Sequence, residues 1–247
     1  MGTKQSIAIG DPTGRAPFFR GMRGTLLGWF VLLALAPMAL VSIISYTRAQ
    51  KALTESAVEK LVATGEINKN IILTLFGRWN TEILFVSQME DLKSDIIDIA
   101  AGFNFLGPDR LKSLYFAKPD LTDAGDGSAY SAVHQEQHAV LPGHKKILDF
   151  ENILLIDNDG NVVYTTDKGP LFGTNLASGP FKETNLGQLY QSLETAKAGQ
   201  ICLADAGLLE GEIAMFGGTP IFNGPVRTGI LVYQFPFVQI NQIMGMQ

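Results

Sequence analysis

An uncharged apolar run near the N-terminus constrains this chain more than any other feature. Residues 24–47, GTLLGWFVLLALAPMALVSIISYT, contain no Asp, Glu, Lys or Arg. A helix of that length rises about 36 Å, which is enough to cross a hydrocarbon core of about 30 Å with some tilt. Pro37 lies inside the run, and membrane helices tolerate proline better than soluble helices do. The run therefore predicts a transmembrane helix at 24–47.

The same run also has a feature of a cleaved signal peptide. The residues ALA at 34–36 resemble the small-residue site that signal peptidase recognises. Cleavage there would make Pro37 the first mature residue, which is unfavourable for the peptidase, and the apolar run continues through Ile44. We therefore predict an uncleaved signal anchor, with a cleaved signal peptide as the alternative.

Charge on the two sides of the run predicts its orientation. Residues 1–23 carry four basic residues and one acidic residue (4 − 1 = +3), whereas the rest of the chain carries 15 basic and 23 acidic residues (15 − 23 = −8). Basic residues near a span stay on the cytoplasmic side. The segment 1–23 is thus predicted to be cytoplasmic, and everything after Tyr46 extracytoplasmic. The net charge of −5 and the lack of a later basic cluster argue against a nucleic-acid partner.

A helical pattern continues beyond the apolar run. No glycine or proline interrupts residues 47–64, and apolar or small residues recur every three or four positions. We interpret 48–100 as one long stalk helix whose stripe packs on a second copy of the chain, giving a homodimer; a plain core helix is the alternative. The members of this stripe are Leu61, Gly65, Asn68, Ile72, Leu75, Trp79, Ile83 and Val86.

The remaining segment, 101–247, predicts an α+β module. Two runs rich in apolar and β-branched residues flank Asp159-Gly160, which is a hairpin signal because glycine accepts the positive φ of such turns. This order of elements predicts an antiparallel sheet with helices on one face. Helices are predicted at 110–116, 130–146 (stopped or bent near Pro142-Gly143) and 183–198, and further strands at 200–205, 212–222 and 226–235.

The stretch HQEQH at 134–138 has the composition of a zinc-protease motif but not its order. In HExxH the glutamate follows the first histidine directly, whereas Glu136 lies two residues after His134 and so on the opposite side of the helix. No third metal ligand is evident, and DNDG at 157–160 does not fit a calcium loop. No nucleophile elbow, phosphate loop or dinucleotide fingerprint occurs. The sequence predicts no enzymatic activity, no metal and no cofactor, and its single cysteine, Cys202, excludes an internal disulfide.

Two longer stretches carry a family resemblance. They are DFENILLIDNDGNVVYTTDKGPLFGTNLASGPFKETNLGQLY and GTPIFNGPVRTGILVYQFPFVQINQIM. They resemble the extracytoplasmic Cache (PAS-like) sensor region of bacterial methyl-accepting chemotaxis proteins and of related sensor kinases and cyclases, over about residues 130–247. The segment LLEGEIAMF is shorter than its counterpart in that family, and the arginine–aromatic signature for amino-acid ligands is not evident. The resemblance implies the membrane-distal module of a double-Cache region in the bacterial inner membrane, with 101–247 periplasmic.

The resemblance implies a membrane-anchored sensor for a small molecule, of chemoreceptor type, that signals through the stalk helix. The ligand is expected on the concave side of the sheet, beside the loop 167–182. The output region normally found in the family is missing, so we expect a truncated or fragmentary receptor. The alternatives are the input region of a sensor histidine kinase or nucleotide cyclase, or a non-sensing membrane-anchored interaction domain. The predicted ligand-binding residues are Tyr164, Thr166, Phe172, Asp205, Phe216 and Tyr233.

Overall fold

The computed structural model of the chain describes residues 22–245, and it separates into two compact units at Gly65/Glu66. Helix α1 (Met22–Ser87) begins in the first unit and ends in the second. Among the described residues, one helix is long and apolar enough to cross a membrane by length and composition, and it is α1. The apolar side chains of the run 24–47 are exposed in the first unit. The predicted apolar N-terminal helix is therefore confirmed, whereas the predicted cytoplasmic segment 1–23 lies almost wholly outside the described residues.

The predicted stalk helix over 48–100 is wrong at its C-terminal end. Helix α1 ends at Ser87, and a second helix, α2 (Glu90–Leu106), begins after Met89, whose backbone is extended. The Ser87 hydroxyl donates to the carbonyl oxygen of Leu84, one turn back, and this local bond competes with helix continuation. The C-terminal residues of the stripe, Trp79, Ile83 and Val86, are fully buried in the core of the second unit.

Two more helices precede the sheet. Gly107, with φ of 80°, separates α2 from α3 (Pro108–Tyr115), and proline suits the first position of a helix because it lacks an N–H group. Helix α4 (Ala129–Ile147) is capped at its N-terminus by Ser128, whose hydroxyl accepts a hydrogen bond from the N–H of Ser131. Pro142 lies inside α4, which continues past it to Ile147.

The sheet has six antiparallel strands: β1 (Asn152–Ile156), β2 (Val162–Thr165), β3 (Cys202–Leu203), β4 (Gly207–Leu209), β5 (Glu212–Asn223) and β6 (Val226–Phe235). Their order is β2-β1-β6-β5-β3, with β4 also paired to β5. Gly160, with φ of 86°, forms the turn between the first two strands, as the hairpin signal predicts. The edge strands β3 and β4 have only two and three residues. The remaining helices are α5 (Asn185–Glu194) and α6 (Phe237–Met244).

Helices cover both faces of this sheet. Ile153 and Leu155 of β1 pack into a core formed with α1 to α4, whereas Leu154 and Ile156 pack into a second core formed with α5. The α+β class with an antiparallel sheet is confirmed, but the predicted placement of helices on one face is corrected by α5. The physical reason lies in β1, NILLI, in which four consecutive apolar residues follow an asparagine: all five residues are buried, so both faces need a cover.

Candidate functional site

A cluster of polar and aromatic side chains is buried between α4, the end of α3 and β2. Helix α4 contributes Tyr130, His134 and His138, which share one face because they are spaced four residues apart. Strand β2 contributes Tyr164, and the loop after it contributes Lys168. The end of α3 contributes the last member, Tyr115. We call these six residues the polar cluster. Glu136, the glutamate of HQEQH, is exposed to solvent.

Hydrogen bonds assign a neutral tautomer to each histidine of the polar cluster. The Nδ1–H of His134 donates to the carbonyl oxygen of Thr122 at 2.6 Å. The Nε2–H of His138 donates to the carbonyl oxygen of Pro119 at 2.7 Å, so its Nδ1 is free to accept from the Tyr164 hydroxyl at 2.7 Å. Burial lowers the pKa of His134 to about 3 and also lowers that of His138, with the Lys168 charge acting in the same direction. Both rings are therefore uncharged at neutral pH.

Lys168 is the charged member of the polar cluster, and its side chain is fully buried. Its Nζ donates to the carbonyl oxygens of Lys118 at 3.2 Å, Pro119 at 3.3 Å and Leu121. It also lies 5.4 Å from the ring centroid of Tyr115, a cation–π distance. Burial lowers the pKa of Lys168 to about 8. Within the part of the chain that the structure describes, no carboxylate forms an ion pair with Lys168.

The backbone segment 118–122, which we call the strap, closes one side of the polar cluster. Four of its carbonyl oxygens, those of residues 118, 119, 121 and 122, accept hydrogen bonds from Lys168, His138 or His134. Just before the strap, the N–H of Ala117 donates to the carbonyl oxygen of Lys168 at 3.0 Å. Ala117 and Lys168 have positive φ, 56° and 52°, which is uncommon for residues other than glycine.

The Tyr115 hydroxyl fixes the other end of the loop that contains the strap. It donates to the Ser131 hydroxyl at 2.7 Å and accepts from the N–H of Ala124 at 3.2 Å. The Ser131 hydroxyl in turn lies 2.7 Å from Asp126, and this hydrogen bond is the main cause of the lowered pKa of that carboxyl group. Burial raises the pKa of Tyr115. The strap is thus held from inside along its length and anchored just beyond Thr122.

The structure does not bring the six predicted ligand-binding residues together. Tyr164 belongs to the polar cluster, and Phe172 lies beside it, with its ring centroid 6.5 Å from that of Tyr115. Thr166 is buried and bonds to the side chain of Asn152. Tyr233 is on the same face of the sheet but packs against Phe150, with ring centroids 4.5 Å apart.

Two of the predictions are corrected by the sheet geometry. Phe216 is buried in the core formed with α5, on the opposite face, because residues 214 and 216 of β5 point that way. Asp205 is exposed and lines a groove of about 470 Å³ beside α5. One pocket cannot include these two residues together with Tyr164.

Sequence reasoning missed Lys168 and Tyr115, and it gave His134 and His138 no functional role. The Tyr-His-His spacing of four residues was a usable signal, since it places three polar aromatic rings on one helix face. Lys168 carried no such signal, because it occurs in a turn, TTDKGP, where a lysine is normally exposed.

The fold is similar to that of a solved sensor domain. The sensor domain of the V. cholerae histidine kinase DctB matches with a TM-score of 0.51 and 15% identity, over 76% of this chain and 59% of that one. The extracellular domain of a candidate histidine kinase, vpHK1S-Z8, matches with a TM-score of 0.40 and 13% identity, over 78% and 60%. An extracellular ligand-binding receptor from Desulfohalobium retbaense matches with a TM-score of 0.32 and 15% identity, over 66% of this chain and 26% of that one.

Of these three, the DctB domain exceeds a TM-score of 0.5, and at 15% identity this likeness shows the fold alone. The chain spans about 59% of the length of that domain. No protein-family model matches the chain, and a search of curated proteins found no significant match.

Proposed function

We propose that the chain is the membrane-anchored input region of a receptor, in which the unit after Gly65 senses a small molecule outside the cytoplasm. The polar cluster is the single observation that carries this proposal. A buried lysine, two buried histidines and three buried tyrosines meet at one place in a core that is mainly apolar. The similarity of the fold to the DctB sensor domain supports the same function.

The polar cluster is a better candidate for the ligand site than the rest of the core. Burying polar groups costs free energy unless each finds a partner, so a core built only for stability would contain apolar residues here. Small-ligand sites combine apolar walls with a few convergent polar groups, and strongly shifted pKa values mark such sites. Phe172 and Tyr164 supply the walls, and Lys168 and the histidines supply the polar groups.

We propose that ligand binding signals through α1. Trp79 of α1 stacks on Phe235 at the end of β6, with ring centroids 4.6 Å apart and planes 9° apart, so this helix and the central strands share one core. A ligand shifts the equilibrium only if it binds two arrangements of the module with different affinity, and helix shifts of about 1–2 Å are a common response. We propose an output of chemoreceptor, histidine kinase or nucleotide cyclase type; the similarity to the sensor domain of a histidine kinase fits the kinase alternative as well as the chemoreceptor.

A homodimer through α1 belongs to the same proposal. The N-terminal members of the stripe, Leu61 and Gly65, are exposed. Its C-terminal members, Trp79, Ile83 and Val86, are buried. We expect Leu61→Cys, in a Cys202→Ser background, to form disulfide-linked dimers in oxidised membranes. Ala63→Cys, on the other side of the helix, is the matched control because residues two apart do not share a face. Equal cross-linking at both positions would contradict a specific helix pair.

The test of ligand sensing is a thermal-shift screen of the full chain in nanodiscs against small metabolites. A ligand present at about 100 times its Kd adds about 2.7 kcal/mol to the free energy of unfolding and raises Tm.

The second candidate is a non-sensing interaction domain, favoured by the exposed pair Leu208 and Ile213 on neighbouring strands. A blank screen combined with tight binding to a protein would support that candidate. In neither case do we assign a reaction to the chain.

A further inference from the structure

The side chains of the polar cluster hold the strap through its backbone oxygens. Lys168, His134 and His138 direct five hydrogen bonds at four carbonyl groups of residues 118–122. These donors come from two separate elements, α4 and the loop after β2. They converge on oxygen atoms, so the polar cluster is arranged to bind several oxygen acceptors at once.

The acceptors that the strap supplies are uncharged, although one of the donors is a cation. An anion compensates a buried ammonium group better than neutral carbonyl groups do, because it adds the attraction between two opposite charges to the hydrogen bonds. The nearby carboxylate of Asp120 raises the pKa of Lys168 electrostatically, but the residue is exposed and forms no ion pair with Nζ among the described residues. An oxyanion would therefore satisfy Lys168 better than the strap does.

The attachment of the strap also holds the backbone in an unfavourable conformation. Ala117 and Lys168 both have positive φ and are joined by one hydrogen bond. A side chain in this region costs energy that glycine would not pay, and such strain persists only where surrounding contacts impose it. One of these strained residues, Ala117, directly precedes the strap.

We propose that the strap is a built-in competitor for the ligand site, and that its carbonyl oxygens occupy the positions taken by the oxygen atoms of a small oxyanion, a carboxylate or a phosphate. Lys168 is the anion-binding residue. The oxyanion and the strap then exclude each other at Nζ, so binding frees residues 118–122 from the polar cluster. This inference rests on the proposed sensing function and identifies the chemical class of its ligand.

Amide hydrogen exchange on the full chain in nanodiscs tests the contact between Lys168 and the strap without any ligand. The N–H groups of residues 117, 118, 121 and 124 are hydrogen-bonded and report on this loop. We expect Lys168→Met to speed their exchange at least about tenfold, because local opening becomes easier. Lys182→Met, at an exposed lysine, is the matched control and leaves the exchange unchanged. Unchanged exchange in Lys168→Met would overturn the proposal.

Protection of the amides in β1 and β6 shows in the same experiment whether Lys168→Met folds. If it does not fold, Lys168→Gln replaces it. Glutamine retains N–H donors for the strap but carries no charge, so we expect near-normal protection of the strap and no response to anions. Loss of protection together with a normal anion response in this variant would overturn the assignment of Lys168.

Acetate, succinate and inorganic phosphate are the probes for the oxyanion. We expect at least one of them to speed exchange in the strap of the wild-type chain, with no effect in Lys168→Gln. A response to succinate or acetate alone identifies a carboxylate site, and a response to phosphate alone a phosphate site. No response to any of the three overturns the oxyanion assignment.

The two proposals fail separately in these experiments. If Lys168→Met releases the strap but no metabolite stabilises the chain, the sensing function fails and the strap contact stands. If metabolites stabilise the chain while exchange in the strap is unchanged by Lys168→Met and by the three anions, sensing stands and the competitor role of the strap fails.

Discussion

Acidification should destabilise the unit after Gly65 through His134. This ring is buried, stacks 5.1 Å from His138 and lies 4.3 Å from Tyr115, measured between ring centroids. Its surroundings are thus aromatic and neutral, apart from the Lys168 cation, which opposes a second positive charge. Burial is the larger cause of the low pKa. Protonation of His134 in the folded state is therefore unfavourable down to a pH of about 3.

The sign and size of the effect follow from proton linkage. The folded pKa of His134 is about 3, against 6.5 for an unperturbed histidine. The unfolded chain therefore takes up the proton first, so stability is full above about pH 6.5 and is lost as the pH falls toward 3. At about pH 5 the loss is 1.5 pH units at about 1.36 kcal/mol each, or about 2 kcal/mol. His138, whose pKa is lowered mainly by burial, adds to the loss in the same direction.

Chemical denaturation of the full chain in detergent micelles measures this loss. Trp29→Phe leaves Trp79, which is fully buried, as the one indole, since the chain has two tryptophans. His134→Gln removes the titrating ring, so the difference in unfolding free energy between about pH 7 and about pH 5 should shrink by about 2 kcal/mol. Each variant is compared with itself at about pH 7, which cancels any general loss of stability. An identical pH dependence with and without His134 would refute the reasoning.

Three further predictions concern the core and the charge of the cluster. Tyr233→Phe should change the unfolding free energy by less than about 0.5 kcal/mol, because the buried hydroxyl has no hydrogen-bond partner among the described residues. Tyr164→Phe should cost about 1–3 kcal/mol, because it leaves the Nδ1 atom of His138 without its donor. Urea denaturation measures both, and equal costs would contradict the assignment. Gly102→Ala should cost about 1–3 kcal/mol of unfolding free energy, because the added Cβ would lie 2.8 Å from the Cβ of Tyr130 in α4. Gly143→Ala should instead raise the unfolding free energy by up to about 1 kcal/mol, because its Cβ would meet no atom within 4 Å and alanine favours the helix. A destabilised Gly143→Ala would refute this contrast. The folded pKa of Lys168 is about 8 against 10.5 unfolded, so this lysine makes the unfolding free energy increase as the pH rises from about 8 to about 10. The buried tyrosines, whose folded pKa values are raised, act in the opposite direction as the pH approaches 10, and they do so in both proteins. The change in Tm over this range should therefore be more positive in the wild type than in Lys168→Met, and parallel profiles would count against a buried charge.

Local patterns in the sequence were enough for most of the elements. The hairpin around Gly160 and the long apolar helix were predictable because each depends on neighbouring residues. The end of α1 at Ser87 was not, because neither glycine nor proline marks it. The chain turns there because α1 and α2 both bury apolar residues in the same core, which is a tertiary effect.

The site was less predictable than the fold. Tyr164 could be selected from its strand, but Phe216 was misplaced because choosing the face of a residue in β5 requires the register of the whole sheet. The role of Lys168 depends on carbonyl groups 47 to 50 residues earlier in the chain. No short-range pattern records a contact of that kind, and residue type alone would place this lysine in solvent.

The brevity of β3 and β4 has a consequence for behaviour at high concentration. The edge of β5 that faces away from β6 pairs with β3, of two residues, and β4, of three residues, and the stretch between these two strands is irregular. A foreign strand that docks by backbone pairing needs a continuous row of free N–H and C=O groups, and this margin offers only interrupted segments. Crowded copies on a membrane would thus have little template for fibril growth along that border.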